Sequence, residues 1–211
     1  NRAQDHGGGM YIAAGNSTLT NCRFIGNTTD LSGGGIYSNY PATPTLMNCT
    51  FTGNTAEFNG GGMFAKINPV LIDCMFTENS AVDGGGMYCD GSPSLTNCGY
   101  TGNTAAGSGG GLYAFDTNLT LSNCDVTGNT ATESGGGVYH EAFGSTSSVG
   151  LDGATICGNT VDGTATDENQ VEGPYDETGV NCITADCTDT NDDGIPDGCD
   201  PCLNWPYGCS A

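Results

Sequence analysis

The stretch GGGIYSNYPATPTLMNCTFTGNTAEFN, residues 33–59, decides the fold, because the chain repeats its outline six times. A glycine triplet followed by an aliphatic and an aromatic residue starts at Gly7, Gly33, Gly60, Gly84, Gly109 and Gly135, at intervals of 26, 27, 24, 25 and 26 residues. A fixed period of this size is the signature of a solenoid, in which each unit buries its apolar face against the next.

The second half of the unit recurs in phase. LTNCRFIGN from Leu19 is followed by LMNCTFTGN from Leu46, LIDCMFTEN from Leu71, LTNCGYTGN from Leu95 and LSNCDVTGN from Leu121, with a degenerate copy from Leu151 to Asn159. Cys22 and Phe24 are two apart and share a face, while Arg23 faces the other way, which is strand periodicity. The outward positions aligned with Arg23 are Thr50, Met75, Gly99 and Asp125, a mixed set that suits solvent. No 3.6-residue apolar stripe appears, and glycine with Asn, Ser and Thr supplies turns every few residues. The expected coil has three short strands and three turns, stacked at the parallel-strand spacing of about 4.8 Å, so six coils make a rod of roughly 30 Å.

Stacking converts the repeat into columns. Leu19, Leu46, Leu71, Leu95, Leu121 and Leu151 form one inward column, and Met10, Ile36, Met63, Met87, Leu112 and Val138 form another. Asn27, Asn54, Asn79, Asn103, Asn129 and Asn159 form a ladder at a turn, with amides bonding to the copies above and below. Tyr11, Tyr37, Phe64, Tyr88, Tyr113 and Tyr139 each follow a buried aliphatic, so alternation points them outward. An exposed aromatic column of this height is a candidate binding surface for a glycan or a cell-surface protein. The competing reading is a column covered by its own neighbours.

The glycine-aliphatic-tyrosine and Phe-x-x-Asn elements are similar to the GGA[ILV] and FxxN repeats of polymorphic outer-membrane proteins and related bacterial right-handed β-helix surface proteins. Phe24 to Asn27, Phe51 to Asn54, Phe76 to Asn79 and Tyr100 to Asn103 carry the likeness, which spans residues 7 to about 161. The resemblance implies secretion, surface display and adhesion, with no shared catalytic residues. The expected fold is all-β: a right-handed, three-sided parallel β-helix of about six coils over residues 1–161. An acidic extended segment, 162–181, then covers the last coil, and a cysteine-rich tail follows over 182–211.

Composition sets the partners. Twenty-four acidic residues face three basic ones, Arg2, Arg23 and Lys66, for a net charge of −21. Such a chain repels phosphate and anionic lipid, which excludes nucleic-acid and membrane-surface binding. No apolar run is long enough to span a bilayer, and the expected location is extracellular or cell-surface. Glycine enters a coil almost at once from residue 7, so the first coil's strand edges are expected to be uncapped. The expected partner there is another copy, joined end to end as in a filament.

Ladder cysteines Cys22, Cys49, Cys74, Cys98 and Cys124 read as small buried hydrophobes that stay reduced. Cys182, Cys187, Cys199, Cys202 and Cys209 crowd the tail and, with Cys157, are expected to form disulfides. Ala154 takes the ladder slot of the sixth copy, which puts Cys157 off the ladder and near a turn. Zinc on the Cys199–Cys202 pair is the competing reading.

Residues 189–200, DTNDDGIPDGCD, carry the sharpest chemical signal. Asp189, Asn191, Asp193, Asp197 and Asp200 hold the 1, 3, 5, 9 and 12 positions of a calcium loop, with Gly194 at the turn and the Ile195 carbonyl as a further ligand. This resembles a thrombospondin type 3 loop and implies one Ca²⁺. A carbohydrate-active enzyme is the alternative function. Its candidate carboxylates are Asp73, Glu78, Asp90, Asp116, Asp125 and Glu141, and His140–Glu141 opens the longest insertion.

Overall fold

A computed structural model describes residues 1–143, 147–166, 170–178, 182–184 and 187, with the backbone alone at 175–178. Every element among these residues is a β-strand or turn. Among the described residues, four parallel sheets, each of seven strands, run the length of the solenoid. The second coil illustrates the unit: strands Thr28–Thr29, Ile36–Ser38, Thr45–Met47 and Thr50–Thr52 contribute one rung to each sheet. Registers follow the sequence repeat, with Met63 between Ile36 and Met87, Leu71 between Leu46 and Leu95, and Phe76 between Phe51 and Tyr100.

Each coil therefore has four strands where three were expected. The extra division falls between Leu46 and Cys49, where Asn48 sits at φ +51°. Asn21, Asp73, Asn97 and Asn123 repeat that left-handed corner with φ between 50° and 56°. Asn and Asp tolerate this geometry because their short side chains bond locally, so one side of the solenoid bends into two sheets. The Asn27 series, expected at a turn, is interior.

The core is a set of columns. Ile36, Leu46, Cys49 and Phe51 have no exposed surface, and their copies in coils three to five are equally or nearly as deeply buried. Phe24, Phe51, Phe76 and Tyr100 stack with centroids 5.0, 4.4 and 4.6 Å apart. Cys22, Cys49, Cys74, Cys98 and Cys124 are free thiols, as expected. Cys89, in neither sequence group, is a sixth free thiol, buried beneath the second sheet.

The asparagine ladder lies inside. Asn79 gives its backbone N–H and its Nδ2 to Asn103 Oδ1 at 3.0 and 2.9 Å, and a second Nδ2 bond to the Phe51 carbonyl at 3.0 Å. The same set recurs at each rung from Asn54 to Asn159, so every amide is satisfied in a dry core.

The residue preceding each ladder asparagine is left-handed: Gly26, Gly53, Gly102, Gly128 and Gly158 have φ of 59–65°, and Glu78 has φ 55°. A left-handed non-glycine residue costs roughly 1–2 kcal/mol. Glu78→Gly is accordingly expected to stabilise the protein by roughly 1 kcal/mol after the unfolded-state entropy of glycine is subtracted, raising Tm by ~2–4 °C. A lower Tm in thermal unfolding would contradict this.

A seventh coil closes the described solenoid. Val171–Glu172 pairs with Val138 and Tyr139, Tyr175–Thr178 with Val149–Asp152, and Cys182–Thr184 with Thr155–Cys157. Residues 170–184 thus add parallel strands, where an extended covering segment was expected up to 181. Glycine triplets and the Leu-x-x-Cys block are both missing from this coil.

Candidate functional site

The outer face of the second sheet holds the aromatic column. Tyr11, Tyr37, Phe64, Tyr88, Tyr113 and Tyr139 stack in sequence, with centroid separations of 5.3, 4.9, 5.1, 4.7 and 5.0 Å. Alternation put the rings on the correct side of the strand. Exposure is a different matter: Tyr37, Phe64, Tyr88 and Tyr113 are only 5–8% exposed, and Tyr11 alone is widely open at 47%. Ring faces are spent on one another, so the expected open aromatic surface is corrected to a self-stacked column. Six aromatics in register at the strand spacing were the available signal.

Polar groups flank the column. Asn39 donates through Nδ2 to the Tyr11 hydroxyl at 2.9 Å. Lys66 lies 3.7 Å from Asp90 and 5.9 Å from the Phe64 ring centre. Tyr113 donates its hydroxyl to Glu141. Burial, and then that bond, raise the Tyr113 pKa, so the phenol stays protonated. On the other flank Asp83 accepts the Ser108 N–H at 2.9 Å. Burial raises the pKa of Asp83, and also that of Asp90 against the opposing pull of Lys66.

A carboxyl that holds its proton more tightly when folded contributes stability below the ordinary range and loses it as pH rises through the raised value. Tm is therefore expected to fall as pH climbs from about 4 towards 7, and Asp83→Asn to flatten part of that slope in thermal melts. An unchanged profile in the variant would remove Asp83 from the account.

The other candidate carboxylates of the alternative enzyme reading are dispersed. Asp73 and Glu78 occupy left-handed corners, and Asp125 lies exposed on the fourth sheet. Asp116, at a turn, accepts the Phe143 N–H at 3.3 Å. His140 points inward and is 2% exposed, with Nε2 3.0 Å from the Thr117 carbonyl. Burial lowers its pKa and keeps the imidazole neutral. His140 and Glu141 are thus on opposite faces of one strand.

The disulfide expectation is met where it can be seen. Cys157 is bonded to Cys187, with Cα atoms 5.4 Å apart. Cys157 lies in the strand Thr155–Cys157, opposite Thr127, and so is placed by a strand where a turn was expected. Cys182 is disulfide-bonded as well. Cys199, Cys202 and Cys209 lie outside the described residues, as do Asp189, Asn191, Asp193, Ile195, Asp197 and Asp200 of the calcium-type loop.

Parallel coils with in-register interior columns define the class: a β-solenoid. Residues 1–161 match the family described as the right-handed β-helix region, and the chain belongs to that family. No curated protein and no solved structure matches it. The family includes both structural and polysaccharide-active proteins.

Proposed function

We propose that this protein is a non-catalytic structural or adhesive element of an extracellular surface, a rod that meets copies of itself end to end. One observation carries the reading. Seven coils in continuous register make a rod, and the carboxylates a hydrolase would need to pair lie apart on it, Asp73 and Glu78 at corners, Asp125 on the fourth sheet and Glu141 on the second. Arg2 and Arg23, two of the three basic residues, sit on the first coil, where contact between copies of a −21 chain meets least repulsion.

The likeness of the repeat to bacterial surface proteins supports display and adhesion, and the acidity argues against nucleic-acid and membrane partners. The Asp189–Asp200 spacing supports binding of one Ca²⁺. Sedimentation of the full chain with saturating Ca²⁺ tests the reading: concentration-dependent association, weakened by Arg23→Glu, is expected. A strictly monomeric protein at high concentration would refute the self-association.

A second reading, a carbohydrate-active enzyme or binding module, is favoured by the outward Glu141 held by Tyr113. Phe115, opposite Glu141 on the neighbouring strand, and Phe143, two residues past the end of the Glu141 strand, have centroids 5.7 Å apart, and Phe143 is 67% exposed. Glycan binding or cleavage that Glu141→Gln abolishes would favour it.

A further inference from the structure

Tyr113 differs from the other rings of the outer column in having a place to send its proton. Its strand, Leu112–Phe115, pairs in register with Val138–Glu141, so Tyr113 lies opposite Tyr139 and Glu141 stands two positions further along. Two long side chains reach each other across that diagonal on one face of a sheet. The Tyr113 hydroxyl donates to Glu141 Oε2 across it. A phenol on a carboxylate makes a charge-assisted bond, stronger than one between neutral groups. The Tyr11 hydroxyl instead accepts from Asn39 Nδ2 at 2.9 Å, and among the described residues Tyr37, Tyr88 and Tyr139 have no carboxylate acceptor. Tyr100, fully buried in the inner column, gives its hydroxyl to the Met87 sulfur at 3.6 Å, a weak acceptor.

This pairing governs how the column can lose an electron. A neutral phenol that loses an electron alone becomes a radical cation, and a new charge on a ring only 8% exposed is costly. When the proton leaves in the same step, the products are a neutral tyrosyl radical and a neutral Glu141 carboxylic acid. No charge is then created at the site, and the one it held is removed. The field of a −21 chain also favours giving up an electron and draws in a cationic oxidant.

Stacking supplies both a route and a cover. Tyr88 lies 4.7 Å from Tyr113 with the planes 18° apart, and Tyr139 lies 5.0 Å away on the other side. Beyond Tyr88 the stack continues through Phe64 and Tyr37 to Tyr11, whose ring is 47% exposed. Ring faces in contact at this spacing place their π systems side by side. An electron vacancy on a neighbouring ring therefore passes to the ring whose proton can leave. The same neighbours cover Tyr113, so its radical is kept from coupling with a tyrosine of another chain.

We infer that Tyr113 is a redox-active tyrosine with Glu141 as its proton acceptor, serving an outer-sphere one-electron oxidant that draws its electron from the aromatic column. In the step the Tyr113 O–H bond breaks and an O–H bond forms on the Glu141 carboxylate. The oxidant is reduced by one electron, and Tyr113 is oxidised by one. A one-electron reductant reverses the step as the proton returns from Glu141 to the phenolic oxygen. The inference is independent of the end-to-end reading, because every group in it lies along the side of the rod.

Flash photolysis of the full chain tests this, with photogenerated ruthenium(III) tris-bipyridine as the oxidant and a cobalt(III) ammine as the terminal electron acceptor. Visible absorption and electron paramagnetic resonance follow the tyrosyl radical. The unsubstituted protein is expected to form a persistent radical, more slowly in heavy water than in ordinary water. Tyr113→Phe keeps the stacked ring and is expected to remove that persistent component. Glu141→Gln keeps an oxygen for the hydroxyl to bond but cannot hold the proton, and is expected to slow radical formation at Tyr113 by about a hundredfold or more, the scale of a positioned base. Tyr40→Phe, at an exposed ring outside the column, is expected to change neither the yield nor the rate of the persistent radical. Near-ultraviolet circular dichroism of the variants checks that the rings remain stacked. The absence of a persistent radical in the unsubstituted protein, or its survival in Tyr113→Phe, would overturn the site. Formation at the parent rate in Glu141→Gln would overturn the proton acceptor.

Discussion

Asn103→Ala is expected to destabilise the solenoid by roughly 3–5 kcal/mol, lowering Tm by about 6–20 °C. The estimate follows from the bonds that vanish. Asn103 Oδ1 accepts the Asn79 N–H at 3.0 Å and Asn79 Nδ2 at 2.9 Å, and its Nδ2 donates to the Phe76 carbonyl and to Asn129 Oδ1 at 2.9 Å each. Asn79 and Asn103 are both fully buried, so water cannot replace the lost partners. Each buried polar group left unpaired costs about 1–3 kcal/mol, and the Asn79 N–H loses its sole acceptor on this side. Asn103→Asp is the sharper variant at neutral pH. It keeps the accepting oxygen but turns the donor into a second acceptor against the Phe76 carbonyl, and it buries a charge without a counterion. Its loss should exceed that of alanine and shrink on acidification. Denaturant unfolding measures both. An alanine variant within about 1 kcal/mol of the parent would show that the ladder aligns the coils without stabilising them.

Most of this architecture was legible because a solenoid writes its neighbours into its own repeat. Once Leu46 and Leu71 are in phase they are in contact, and the columns of Leu, Cys, Phe and Asn follow. What depended on the third dimension was not legible. Alternation places Tyr37 and Tyr88 on the outer face, but their burial comes from rings stacked between coils, which no single strand records. The fourth strand required knowing that Asn48 and Asp73 turn left-handed, while the same residue type at Asn54 and Asn103 stays inside. The seventh coil lacks both halves of the repeat, and Gln170, whose side chain completes the Asn159 rung of the ladder, reads in the sequence as an ordinary polar residue. Cys157 misled for the same reason: Ala154 holds the cysteine position of that coil, and the outward place of Cys157 three residues later suits a bond leaving the rod. The Asp189 to Asp200 spacing reads as an oxygen-rich loop for a hard cation, and those residues lie outside the described ones.

Gly85→Ala is expected to be among the most damaging one-carbon substitutions of the described residues. Glycine in the triplets invites a reading as turn chemistry, and for Gly84, at φ +63°, that is correct. Gly85 is different, because its need is for space. A methyl group there would lie 2.5 Å from the Thr104 carbonyl oxygen and 2.6 Å from that of Gly110, both backbone atoms of the next coil. No rotamer change relieves such a contact. The coils must part, and the neighbouring bonds part with them: Gly85 N–H to Gly109 at 3.1 Å and Gly86 N–H to Gly110 at 3.2 Å. The Asn79–Asn103 rung spans the same gap. Losses above about 4–5 kcal/mol are the mark of such failures, and this variant is expected to reach them, with coils four and five opening first in hydrogen exchange. Gly53→Ala supplies the contrast. Its φ is +61° but nothing stands within 4 Å of the added carbon, so only the left-handed penalty of roughly 1–2 kcal/mol applies. If the two variants unfold at the same denaturant concentration, close approach between coils is not what the second glycine secures. If Gly85→Ala falls well below Gly53→Ala, the triplet's second member is a spacing residue, required wherever one coil's backbone rests against the next.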